Sequence, residues 1–122
     1  MPKKNTAIDK LADIVVMGML EKKAHNVVKI DLRDLNVSVT DIMIICHGDS
    51  DRQVAAIADS VVETVKKQTG ENPFSKEGMR LAEWVLVDYI NVVVHIFKKD
   101  LRQYYAIEDL WADGIVQEIT TD

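Results

Sequence analysis

The sequence predicts an α/β fold, a single domain in which helices pack on a mixed β-sheet. Apolar residues recur at a spacing of three and four in some segments and at every second position in others, so both helices and strands are present. The two kinds of segment interleave as helix, strand, strand, helix, short strand, hairpin and helix, too mixed for a helical bundle. At 122 residues the chain can bury one hydrophobic core, and a second independent core is not expected.

Each element has its own signal. Ile8, Leu11, Ala12, Val15, Val16, Met19 and Leu20 form an apolar stripe broken by Asp9, Lys10, Asp13 and Glu21, which predicts an amphipathic helix from Thr6 to about His25-Asn26. Thr6 with Asp9 has capping-box spacing, and Lys22-Lys23 suits the negative end of the helix dipole. Val28, Ile30 and Leu32 alternate with Lys29 and Asp31, the pattern of a strand with one buried face. A polar link with Asn36, Ser38, Thr40 and Asp41 leads to Ile42-Met43-Ile44-Ile45-Cys46, apolar at every position and read as a strand buried on both faces.

After Gly48-Asp49, Ser50 and Gln53 form a capping box that opens a second helix. Its inward stripe is Val54, Ile57, Ala58, Val61, Val62 and Val65, and Gly70 is its left-handed stop. Phe74 to Leu81 carries only a weak signal for a short strand. Trp84–Tyr89 and Val92–Phe97 are β-branched and aromatic runs separated by Ile90-Asn91, which reads as a hairpin. Asp100 with Gln103, and then Leu101, Tyr104, Tyr105, Leu110 and Trp111, predict a third helix ending near Gly114. The domain is therefore residues 1–122 with a core of about 6–114.

A two-residue turn at Ile90-Asn91 places Tyr89 against Val92, Val87 against Val94 and Val85 against Ile96, all on a core side. The other side carries Trp84, Leu86 and Asp88 on one strand and Val93, His95 and Phe97 on the other. That face is too apolar for ordinary solvent contact and too polar for a plain core. Either a helix covers it or a partner does, and aromatic anchors beside a few polar groups are typical of interface centres.

Composition narrows the function classes. With 48% apolar and 29% charged residues the chain is an ordinary globular domain, and no run reaches the length of about 18 apolar residues that a membrane helix needs. One cysteine excludes a disulfide framework, and no signal or transit peptide is visible, so a cytoplasmic protein without membrane contact is expected. The net charge is −5 and the basic residues form no stripe, so little direct nucleic acid contact is expected. His25, His47 and His95 match no metal-ligand spacing, and no cofactor is implied.

One segment has features of an enzyme site. Gly48-Asp49-Ser50, between a buried strand and a helix N-terminus, resembles the phosphate turn of nucleotidyltransferases, so a nucleotidyltransferase-like enzyme or nucleotide-binding protein is the alternative class. That chemistry needs carboxylates at alternate positions of one strand to hold metal ions, and Leu86 stands where a partner for Asp88 would be. Ser50 is then an N-cap. Cys46 and His47 point to opposite faces of a strand and cannot form a nucleophile–base pair, so no catalytic residue is assigned.

The ordered set Asp41–Ser50, Gln53–Asp59, Glu77-Gly78, Glu83–Tyr89, Val93–Phe97, Arg102, Tyr104-Tyr105, Leu110-Trp111 and Asp113 resembles the bacterial ribosomal silencing factors of the Iojap family over about Ile8 to Asp113. Two positions depart from the family's pattern: Ile90-Asn91 replaces a Gly-Asp type turn, and His47 replaces a small residue. The resemblance implies a nucleotidyltransferase-like fold without catalytic carboxylates. It implies a binding activity, docking on large-subunit ribosomal protein fourteen so that the small subunit cannot join and translation is repressed. The family's Trp-x-x-x-Asp-Tyr segment falls on Trp84, Asp88 and Tyr89, and its His-x-Phe on His95 and Phe97. With Leu86 between them, these six are the expected partner-binding residues. A homodimer burying the same face is the further possibility.

Overall fold

The computed structural model describes residues 6–35 and 40–119. Along these, α1 (Thr6–Glu21), β1 (His25–Asp31), β2 (Ile42–Gly48), α2 (Asp51–Thr69), β3 (Ser75–Glu77), β4 (Trp84–Asp88), β5 (Val92–Lys98), α3 (Lys99–Tyr105), α4 (Ile107–Leu110) and β6 (Ile115–Glu118) follow in order. The strands form one sheet in the order β3-β4-β5-β2-β1-β6. Only β2 and β5 run parallel, and the other neighbours are antiparallel. The expected mixed α/β architecture is therefore present.

Helices α1 and α2 cover one face of the sheet. Leu11, Ala12, Val15 and Met19 of α1 and Val54, Ile57, Ala58, Val61 and Val65 of α2 meet Ile42, Ile44, Cys46, Val85, Val87, Val94 and Ile96 from the strands. Each aliphatic side chain buried there is worth about 1.5–3 kcal/mol relative to exposure, which is why the amphipathic stripes decide the placement of both helices. At their closest approach, Ser60 Oγ donates to the Gly18 carbonyl at 2.8 Å. A Cβ on Gly18 would stand 2.9 Å from Val61 Cα, so only glycine admits this spacing.

Helix ends follow their chemistry where the sequence is explicit. Ser50 Oγ accepts from the Gln53 amide at 3.1 Å, and Gly70 closes α2 at φ 81 with its N–H donating to the Lys66 carbonyl. By contrast α1 ends at Glu21, earlier than His25-Asn26, because Lys23 takes φ 58 and the Lys22, Lys23 and Ala24 amides fold back on Met19 and Leu20. Lys22 and Lys23 thus lie past the helix end. The Thr6 side chain and the Asn36–Ser38 part of the polar link fall outside the described residues.

The C-terminal third differs from expectation. The single third helix is two short ones, α3 and α4, broken at Ala106 with φ 45. No side chain caps α3, whose N-cap is Lys98, so the Asp100–Gln103 box is not formed. Beyond the expected core end at 114, β6 adds an edge strand beside β1, pairing Val116 with Ile30 and Glu118 with Val28.

Candidate interaction face

The hairpin has the expected register: Val85 pairs with Ile96, Val87 with Val94, and the Tyr89 amide donates to Val92 O at 2.9 Å. Its turn is unusual. Ile90 sits at φ 74, and the Asn91 amide donates back to Tyr89 O at 2.9 Å, a tight turn that a β-branched residue rarely enters. Side chains hold it: Asp88 Oδ1 accepts from the Ile90 amide at 2.6 Å, Thr40 Oγ1 donates to Ile90 O at 2.9 Å, and Asn91 Nδ2 donates to Asp41 Oδ2 at 2.7 Å.

On the sheet face away from α1 and α2, cross-strand pairs align Trp84 with Phe97, Leu86 with His95 and Asp88 with Val93. Leu101, Ile107 and Trp111 from the C-terminal segment cover the part over β1 and β2, packing on Val28, Ile30, Leu32, Met43, Ile45 and Phe97. The part over β4 keeps Trp84, Leu86 and Asp88 half-buried. Five of the six expected residues therefore share this face.

Tyr89, expected beside them, does not. It lies on the α1–α2 side, 8% exposed and inside the main core, as strand alternation with Val85 and Val87 requires. Its hydroxyl has no hydrogen-bond partner among the described residues, and burial pushes its pKa up to about 12. Within the face, His95 (4% exposed) and Phe97 (0%) form the floor, leaving Trp84, Leu86 and Asp88 accessible.

The floor and the surface are tied together. Trp84 Nε1 donates to His95 Nδ1 at 3.0 Å, so the neutral imidazole carries its proton on Nε2. Burial holds the His95 pKa down at about 4, so the ring stays neutral at physiological pH. Trp84 stacks on Phe97 with centroids 4.9 Å apart, and Tyr105 packs on Trp84 at 4.6 Å. Tyr104 meets Tyr105 edge-on at 5.1 Å. Phe97, Trp84, Tyr105 and Tyr104 thus climb from the core to solvent as one aromatic ladder. The two tyrosines, 79% and 47% exposed, are read from the sequence as helix stripe and as part of the family resemblance, and neither reading signals their exposure.

The nucleotidyltransferase-like turn is occupied by its own side chains. Ser50 is the N-cap, Gln53 Oε1 accepts from the Asp49 amide at 2.7 Å, and Asp49 Oδ2 lies 3.0 Å from His25 Nε2. Burial raises the Cys46 pKa to about 12, so the thiol is a core group. Among the described residues no group of three or more His, Cys, Asp or Glu could hold a metal ion, and no helix is long and apolar enough to cross a membrane. A separate groove of about 1000 Å³ at the carboxyl end of β2 is lined by His25, His47, Lys99, Arg102 and Glu108, and by none of the six expected residues.

Fold and face together define a small mixed-sheet α/β domain with an aromatic face half covered by its own C-terminal segment. The model of the family described as ribosomal silencing factor during starvation matches residues 4–122. A ribosomal silencing factor of Halalkalibacterium halodurans is 38% identical, the match spanning 89% of this chain and 92% of that protein. A crystal structure of a Chromobacterium violaceum protein superposes with a TM-score of 0.81 at 35% identity, over 86% of each chain. A mouse protein named for mitochondrial assembly of the large ribosomal subunit is 27% identical, over 81% of this chain and 44% of its own length. The chain belongs to the ribosomal silencing factor family, and its role lies in ribosome silencing.

Proposed function

We propose that this protein binds the large ribosomal subunit through large-subunit ribosomal protein fourteen, using the face around Trp84, Leu86 and Asp88, and blocks subunit joining by steric clash. What supports this is an aromatic ladder left open on one side of the sheet in a chain of this family. Such a face, with Trp and Tyr anchors over a dry floor, suits capture of a protein surface. The acidic net charge of −5 favours ribosomal protein over RNA as the contact. In this reading His95 and Phe97 support the contact from below, Tyr89 buttresses the hairpin from the reverse side, and Asp88 holds the turn. No turnover is required, because occupancy alone excludes the small subunit.

Cosedimentation with purified large subunits tests this. Trp84→Ala and Leu86→Arg are expected to weaken capture by about thirtyfold or more, the loss of a hot-spot side chain, while circular dichroism stays that of the folded chain. Tyr89→Phe is expected to bind as the parent does. Full capture by both face variants would overturn the assignment.

A further inference from the structure

Helices α3 and α4 are seven and four residues long, too short to be stable alone, and α3 has no side-chain cap. Something else fixes them over the sheet. Leu101, Ile107 and Trp111 supply apolar contact, which is not directional. Among the described residues, the side-chain hydrogen bonds that tie α3 to its surroundings come from Arg102. Arg102 is 9% exposed. Its Nε donates to Glu108 Oε1 at 2.7 Å and its Nη2 to Glu108 Oε2 at 3.1 Å, a two-pronged clasp across the break at Ala106.

The remaining nitrogen reaches the sheet. Arg102 Nη1 donates to Asn26 O at 2.7 Å, where the β1–β2 register slips between His25 and Val28, and it lies 2.9 Å from His47 Nδ1 at the end of β2. Burial first, then the charges of Arg102 and His25, keep the His47 pKa below the usual imidazole value, against the opposing pull of Asp49. One guanidinium thus joins α4, β1 and β2 to the helix that ends in Tyr104 and Tyr105.

We propose that Arg102 is the positioning residue of the interaction face: by pinning α3 and α4 to the start of β1 and the end of β2, it holds Tyr105, and Tyr104 on it, over Trp84. This rests on the reading of the Trp84 face as the contact for the large subunit. Arg102 itself sits on the groove side and touches none of Trp84, Leu86 or Asp88 through a hydrogen bond. Its effect on binding is exerted through the two tyrosines. Lysine cannot replace it, because a single ammonium lacks the planar fork that serves Glu108 and the Asn26 carbonyl together.

The test uses the full chain as parent, Arg102→Lys and Arg102→Met. In the free protein, nuclear Overhauser contacts between the Tyr105 and Trp84 rings are expected to vanish in Arg102→Met and weaken in Arg102→Lys, while those between Ile44 and Val94 across β2 and β5 persist. Binding to large subunits is expected to fall at least about tenfold in Arg102→Met. Retained ring contacts in Arg102→Met would overturn the proposal, as would lost ring contacts with undiminished binding. If the parent chain itself fails to bind large subunits, the reading of the face fails, and the ring contacts still decide whether Arg102 positions the tyrosines.

Discussion

His95 shows how one side chain links the face to stability. Its imidazole accepts from Trp84 in a nearly dry site, and its pKa falls from the ordinary 6.5 to about 4. A group whose folded pKa is depressed contributes stability that is complete above the unfolded value and lost as pH falls toward the folded one. Between pH 6.5 and 4 the parent should therefore lose about 3 kcal/mol through this residue, at 1.36 kcal/mol for each pKa unit. Urea unfolding at pH 7 and at pH 4.5 measures it, and His95→Gln should show a smaller fall between the two. An equal fall in both would show that the loss comes from other groups. The side chain was legible in the sequence as a member of the second face, because alternation along Val92–Phe97 fixes its direction. Its burial was not, since that depends on Trp84 of the neighbouring strand packing against it.

At the scale of elements, the hairpin was readable because a period of two leaves one consistent pairing, with Val85 and Val87 against Ile96 and Val94. The break between α3 and α4 was not, because no glycine or proline marks Ala106 and the kink is fixed by Arg102 reaching Glu108. β6 was missed for a related reason: all four of its residues are exposed, so it leaves no burial pattern, and it exists through backbone pairing with β1. The approach of β3 to β4 depends on Gly78, which lies at φ 81 where an added Cβ would stand 2.0 Å from the Trp84 carbonyl oxygen. Gly78→Ala is expected to cost about 3 kcal/mol through combined strain and overlap, and to displace the first residue of β4. A denaturant midpoint equal to the parent's would refute that.

For the whole molecule, α1 and α2 lie side by side on one face of the sheet, and their spacing is set at Gly18. In an isolated helix, replacing this glycine by alanine would gain about 1 kcal/mol. Here the methyl would press on Val61 Cα and Ser60 O, both backbone atoms that cannot swing aside, so Gly18→Ala is expected to destabilise by about 2 kcal/mol. Calorimetry giving a raised Tm would show that the helices can part freely. The single parallel pair, β2 with β5, has a different consequence, for synthesis. Ile42–Gly48 is buried at every position, yet one of its edges has no partner until Val92–Lys98 has been made, after α2, β3 and β4. A growing chain that stops short of β5 presents a bare apolar strand edge, open to pairing with other chains. β5 therefore does two jobs at once: its Phe97 is the foot of the aromatic ladder, and its arrival ends the interval in which the nascent protein is prone to aggregate.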